Sequence, residues 1–450
     1  MNGSSLAGLA ALNALFLLAG AGLLWGVRGW VAWTELLRLA GVAYLLGVAA
    51  VCLPLVWLLT VGVGPEVWLV TLLAAAVALG GLAGGRRRPR PGLRLGERRF
   101  EPLALVGAAC AGLAVVWLEA YFRVARASGL EAFDAWSFWV PKAQAIYHFG
   151  GLDERLFREL AGQTYPIFVP TLEAAGFHFM AAADTNALHV QFWLLLVGFV
   201  AAVAGLLRPR VPLLILGPFL AALVLMPEIA NRAIAPQADL TLDYLFVTSA
   251  LSLALFVRSR EQWLLVPYGL LLAAAMSTKR EGQLLAACLV AAAVLVTWRE
   301  RRSAWPRIVG VAGLAFAATL PWRFWFTSHD LTGETPGASL SQLWDSADRI
   351  LPSLRLVLEL AFASELWLAV LPIAVTAAVV AIVLRPTRTS ALFLLTVAFG
   401  VLGFTWILWS IAGLPIVPTD ATPIPRAVGA LALLGAAFGP LLVSELMEDE

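Results

Sequence analysis

The chain is poor in charge. Asp, Glu, Lys and Arg make up 13% of its 450 residues, against roughly a quarter in soluble globular domains. A soluble chain of this length forms two or three domains with polar surfaces, and here the charge to cover them is missing. The net charge of +2 gives no electrostatic reason to expect nucleic acid as a partner. Cysteine is scarce as well. Cys52, Cys110 and Cys288 each sit inside an apolar run, with neither metal-ligand nor disulfide-framework spacing, and read as small buried hydrophobes. No phosphate-binding glycine loop, Ser-His-Asp order or HExxH is present, so nucleotide hydrolysis and zinc proteolysis have no support. His178 and His189 stand too far apart for a metal pair on one helix and read as structural.

What the chain has instead is apolar length. Hydrophobic residues make up 61% of it and the mean hydropathy is +0.85. The apolar runs reach the ~20 residues that a membrane-crossing helix needs and are too long and continuous for barrel strands. The reading is an all-α polytopic membrane protein with about thirteen crossings, near 5–26, 38–60, 66–84, 102–121, 187–207, 211–227, 239–257, 262–278, 282–298, 308–326, 366–384, 389–411 and 426–444. Small-residue pairs such as Ala19/Gly22 and Gly80/Gly81 suit close helix packing.

Basic loops set the expected orientation. The arginine-crowded stretch 86–99 should be cytoplasmic, and counting spans from it places Arg208/Arg210, Arg258/Arg260, Arg299/Arg301/Arg302 and Arg385/Arg388 on the same side. The N-terminus is then outside and the acidic tail 445–450 inside a cell membrane. The opposite face carries the long connections, 122–186 above all, then 327–365, 412–425 and 228–238. Long connections tend to be functional. Within them 167–181 and 349–363 are apolar but too short to span, as expected of interfacial helices.

Ionisable residues gather on that outer face. Asp134, in FDAWSFWVPK, stands between aromatic rings about a dozen residues past a span. Low dielectric beside Trp136 and Trp139 makes a carboxylate more basic, which suits a general base; equally, Asp134 caps a short helix and the Trp residues anchor it at the headgroups. Lys279 and Arg280, in STKREG, are cations on the face such residues avoid. They precede a helix N-terminus, an arrangement that favours an anion such as phosphate; the alternative is that they snorkel to headgroups beside Glu281. Glu228, Asp239 and Asp243 form an acidic series, with Asp239 and Asp243 one turn apart on one helical face. A carboxylate one turn into lipid is a functional candidate, although Asp239 as a helix cap and Glu228 as a partner of Arg232 also fit. Arg323 and Arg426 reach the same anion or snorkel singly. Ionisable groups at mid-membrane depth are nearly absent, whereas proton- or ion-coupled transport favours them.

The order of these features resembles the C-type (GT-C) superfamily of integral membrane glycosyltransferases. The span at 102–121, Asp134 in FDAWSFWVPKAQAIYHFGGLD, then YPIFVPTLEAAGFHFM, ADLTLDYLFVTSALSLALF and STKREGQLLA are similar to bacterial members, and the resemblance covers 102–326. It implies a core with a large extracytoplasmic loop at 122–186, a basic cytoplasmic loop at 85–101 and a C-terminal membrane region at 327–450. Three spans precede the core, so 1–84 reads as an N-terminal three-helix extension. The resemblance implies sugar transfer from a polyprenyl-phosphate donor to a glycan, lipid or protein acceptor, outside the cytoplasm, with Asp134 as base. Lys279, Arg280 and Arg426 then bind the donor phosphate, and Glu228 or Asp239 orients Lys142 or the acceptor. Trp136, Trp139, Lys142 and Tyr165 contact sugar or acceptor. The acidic series lacks the paired-carboxylate form of metal-dependent members, which leaves a divalent cation (Mg or Mn) open. The alternative from another class is a non-catalytic transporter or flippase of a lipid-linked substrate.

Overall fold

In the computed structural model the described residues are 3–89, 91–92, 102–331, 346–410 and 424–447. Most of the 86–99 loop, the 412–423 stretch and the last three residues of the acidic tail lie outside them. The described chain is helical; its one strand-like feature is an isolated bridge between Ala32 and Gly92.

The principal helices are α1 (Gly3–Val27), α2 (Ala40–Thr60), α3 (Val67–Gly84), α4 (Ala104–Ala127), α5 (Val140–Phe149), α6 (Phe168–Met180), α7 (Thr185–Leu207), α8 (Leu213–Leu225) and α9 (Ala238–Ser259). They are followed by α10 (Leu265–Met276), α11 (Arg280–Val296), α12 (Arg301–Ala317), α13 (Leu320–Ser328), α14 (Ile350–Ala361), α15 (Val370–Leu384), α16 (Arg388–Ser410) and α17 (Gly429–Met447). Among the described residues nine helices are long and apolar enough to cross a membrane, or ten if the two arms of a helix pair bent by 114° near Leu368 form one span. The chain is thus a polytopic membrane protein in form. At four of the expected crossings the helices are shorter: α8, α10, α11 and α15, the last an arm of the bent pair, have 13, 12, 17 and 15 residues.

α9 is the centre. It is buried along its length and packs on α7, α10, α11, α16 and α17. The N-terminal trio is not an appendage, because α2 lies against α7 and α10, and α1 against α6. A buried polar knot pins it: Asn13 Nδ2 donates to Gln191 Oε1 at 2.7 Å, and Tyr44 Oη donates to Asn13 Oδ1 at 2.7 Å. Side-chain hydrogen bonds between helices are typically worth about 0.6–2 kcal/mol in a membrane, and this knot joins α1, α2 and α7. Gly81 behaves as its motif suggested. A Cβ there would stand 2.0 Å from the Gly22 carbonyl oxygen, whereas Gly80 faces open space.

The arginine loops meet at one end of the bundle. Arg88 donates to the Arg28 carbonyl at 2.7 Å, Arg210 pairs with Glu261 at 2.8 Å, Arg260 and Arg388 share Glu300, and Arg258 pairs with Glu445 at 2.7 Å. Their grouping on one side, read from the spans, is therefore met by direct contact.

The two short apolar segments differ. α14 buries Ser353, Leu356, Val357, Leu360 and Ala361, a single stripe as an in-plane helix requires. α6 does not lie free on a surface; nearly every residue is buried under α1, α2 and α5. Glu173 within it is buried, and neither of its oxygens has a hydrogen-bond partner among the described residues. Burial holds its carboxyl well above the ordinary range, so the folded chain keeps a proton that the unfolded chain has lost. That stability is complete below the unfolded value, about 4.3, and is lost as pH rises toward the folded one. Thermal unfolding in detergent across a pH series should show a decline from about pH 4.5 upward of at most about 1.4 kcal/mol per unit. Glu173→Gln should flatten that decline; an unchanged slope would place the titrating group elsewhere.

Candidate functional site

The Asp134 carboxylate stands at the start of a π-helical turn. Ala135–Trp139 forms it, and the Val140 N–H donates to the Ala135 carbonyl. Pro141 follows and has no N–H to continue a regular ladder. Single π turns of this kind occur often at functional sites. This one sends Trp136 outward, half exposed against Phe133, and turns Trp139 inward to stack on Tyr165 at 5.8 Å. Trp136 fits an interface anchor; Trp139 is a buried wedge.

Asp134 does not sit in an apolar pocket. Arg426, brought in by the short helix Ile424–Ala427, donates from Nη1 to its Oδ2. The same nitrogen stands 3.7 Å from Asp239 Oδ2, and Asp239 Oδ1 accepts from Lys279 Nζ at 2.6 Å. Lys279 also lies 3.2 Å from Glu281. Asp134, Arg426, Asp239, Lys279 and Glu281 thus form one chain of alternating charge, assembled from parts of the sequence almost three hundred residues apart. Burial works to lower the Lys279 pKa, but the Asp239 and Glu281 carboxylates hold it above an ordinary lysine's. The ammonium therefore stays charged. Arg426 is held above its usual value in the same way, against burial, by Asp239 and Asp134. Asp134 Oδ1 accepts no hydrogen bond from the described residues.

The acidic series divides. Glu228 pairs with Arg232. Asp243 lies one turn below Asp239, buried, and its Oδ2 has no partner among the described residues. A Cβ on Gly429 would stand 2.8 Å from that oxygen, so a side chain at the start of α17 would press on it. Among the described residues no group of three His, Cys, Asp or Glu stands together to hold a metal. Asp239 and Glu228 already face protein cations. The described residues therefore offer no ready ligand set for the divalent cation considered above.

Lys279 and Arg280 diverge. Lys279 turns in to its two carboxylates, while Arg280 donates to Thr164 Oγ1 and lies 5.6 Å over the Tyr165 ring. Arg280 lines a cavity of about 290 Å³ with Thr164, Ser277, Gln283, Trp322 and Arg323. Arg323 donates to Gln283 Oε1. Among the described residues neither guanidinium has a carboxylate partner, and the buried Ser277 Oγ has no hydrogen bond. Arg280 and Gln283 belong to the first turn of α11, which has no side-chain cap. Tyr165 stacks on Trp139 and lies under the Arg280 guanidinium. Among the described residues Lys279 and Arg426 thus face carboxylates, whereas Arg280 and Arg323 do not. Arg323 had a weak signal as a lone cation near a helix end; Thr164, Ser277 and Gln283 had none.

Lys142 is also placed differently from the expectation. It is fully buried; its Nζ donates to the Gly162 carbonyl at 2.5 Å and lies 5.5 to 5.8 Å from the Phe138, Trp139 and Phe157 rings. Glu228 and Asp239 have other partners and do not orient it. His189 Nδ1 lies 2.8 Å from the Ile234 carbonyl and His178 lies 3.4 Å from Glu66, both structural contacts. Compared with protein-family models, with curated proteins and with solved structures, the chain finds no match.

Proposed function

We propose that the chain is a membrane glycosyltransferase of GT-C type. It takes a sugar from a polyprenyl-phosphate donor, at the bundle end opposite the arginine loops. The supporting observation is the juxtaposition at that end: an Asp134 carboxylate held by Arg426, beside a cavity lined by Arg280 and Arg323, neither of which has a carboxylate partner among the described residues. Asp134 Oδ1 takes the proton of the acceptor hydroxyl as that oxygen attacks the anomeric carbon. The anomeric carbon–oxygen bond breaks, and its electron pair leaves on the phosphate. Arg280 and Arg323 stabilise the charge that develops there. Asp239 and Lys279 hold Arg426, and so Asp134, in place. In this reading α8, α10, α11 and α15 complete thirteen crossings in a cell membrane, the N-terminus is outside, the C-terminus is cytoplasmic, and the site is extracytoplasmic.

The test is turnover. Purified chain in nanodiscs, given radiolabelled polyprenyl-phosphate hexoses and pentoses with a cell-envelope extract as acceptor, should release polyprenyl phosphate and label the extract. Movement of the intact lipid between leaflets with no sugar release would favour a flippase.

A further inference from the structure

The helix that carries Glu173 is tied to the two-arginine cavity. Pro166 and Ile167, directly before α6, line that cavity with Arg280 and Arg323. The Phe168 N–H, in the first turn, donates to the carbonyl of Ser277 at 3.1 Å, and Ser277 lines the cavity too. The far end of α6 is clamped against α1, where a Cβ on Gly8 would stand 2.2 Å from the Phe179 carbonyl oxygen. Midway lies Glu173, 0% exposed, with no hydrogen-bond partner for either oxygen among the described residues. The helices packed on α6 are α1, α2, α3, α5 and α7, and their titratable groups are engaged elsewhere. α1 has none. On α2, Tyr44 donates to Asn13 and the Cys52 thiol is buried. Glu66, just before α3, faces His178 of α6 itself. On α5, Lys142 donates to the Gly162 carbonyl, and Tyr147 packs edge-on against His148 and His178. At α7, Asp184 caps the helix and His189 lies on the Ile234 carbonyl.

We infer that α6 is a pH-operated latch on the two-arginine cavity: with Glu173 protonated it stays docked and the wall is complete, and once Glu173 ionises it undocks and takes Pro166 and Ile167 with it. A carboxylate with no donor is among the costliest groups to bury. The charge is relieved only if α6 leaves its packing, and the Phe168–Ser277 bond then breaks. Burial holds the proton on Glu173 beyond the ordinary carboxyl range, which sets the direction. Anion binding is strong at low pH and weakens as pH rises. The linkage also runs in reverse, because an anion that needs the wall favours the docked form and keeps the proton on Glu173 to higher pH. The latch rests on the proposed anion role of Arg280 and Arg323, and not on sugar transfer.

The test uses the purified full chain in dodecyl maltoside, which has no carbonyl group. Inorganic sulfate is the probe, a dianion at every pH used, so that only the protein titrates. Infrared difference spectra read the C=O band of the protonated carboxyl, and calorimetry reads sulfate affinity. As pH rises from about 5 to about 9, wild type should lose the band and about tenfold in sulfate affinity together. Saturating sulfate should move the loss of the band to higher pH. Glu173→Gln, which mimics the neutral form, should lack the band and bind sulfate evenly across the range; Glu173→Met serves if the amide does not fold. Arg280→Gln with Arg323→Gln should bind no sulfate, yet lose the band at a pH that sulfate does not move. A band that persists throughout, or one whose loss leaves sulfate affinity unchanged, would make Glu173 a static part of the packing and overturn the latch. A fall in affinity that survives in Glu173→Gln and vanishes in His178→Gln would overturn it as well, by assigning the titration to His178. Sulfate that still binds the double arginine variant would do the same, by placing the anion elsewhere. The full coupling in a chain that transfers no sugar would keep the latch and remove the transferase.

Discussion

Asp134→Asn should lower kcat for sugar transfer by about 10² to 10⁴, the usual contribution of a positioned general base, and leave the donor KM close to wild type. Asparagine retains an oxygen that can accept from Arg426, so the Asp134–Arg426 contact that docks the Ile424–Ala427 helix survives as a neutral hydrogen bond. The folded chain should keep its melting temperature within a few degrees. What is lost is the basic oxygen. Steady-state kinetics with a saturating acceptor separate the two effects. A variant that turns over at the wild-type rate would remove Asp134 from the chemistry; one that loses only donor affinity would make it a binding group.

The second large effect concerns stability. Lys279 is 5% exposed and sits between Asp239 at 2.6 Å and Glu281 at 3.2 Å. Lys279→Met removes the charge and leaves two carboxylates facing one another, with only Arg426 at 3.7 Å to offset Asp239. Breaking one partner of a buried ion pair costs about 3–5 kcal/mol, whereas replacing both by apolar groups is often neutral. The Met variant should therefore be strongly destabilised in chemical denaturation. Adding Asp239→Leu should recover a large part of the loss, with a coupling that a double-mutant cycle can measure. A stable Lys279→Met chain with a raised donor KM would instead put Lys279 on the donor phosphate, the role that its sequence position suggested.

That contrast marks how far the sequence could be read. Which polar residues share an end of the bundle was legible, because arginine loops are sorted by the membrane and charges are rare enough for each to count. Asp134, Asp239, Lys279, Arg280 and Arg426 were singled out from stretches far apart, and all five stand at one end of the bundle. The partners of each were not legible. A helix such as α9 is buried on all sides, so its apolar pattern carries no phase that would say which neighbour Asp239 or Asp243 faces. Lys279 and Arg280 are adjacent in sequence, yet the start of α11 sends one into the bundle and the other into a cavity.

Lys142 shows the same limit. The chain has only two lysines, Lys142 and Lys279, and both are buried. Every exposed cationic side chain is then an arginine, a signal present in the composition that marks both lysines as internal. Glu173 and the knot of Asn13, Tyr44 and Gln191 had no such mark. Each is an isolated polar residue in an apolar run, and only packing reveals what surrounds it.

The claim on which the rest depends is that sugar leaves a lipid phosphate at the face opposite the arginine loops. Proteoliposomes of known orientation, set by protease accessibility of the 86–99 loop, can be given radiolabelled polyprenyl-phosphate sugar and acceptor on one face at a time. The expected result is release of polyprenyl phosphate and labelled acceptor only when both are supplied on the face away from that loop, with release abolished in Asp134→Asn. Release on the arginine face, or none on either face while the lipid itself crosses, would contradict it.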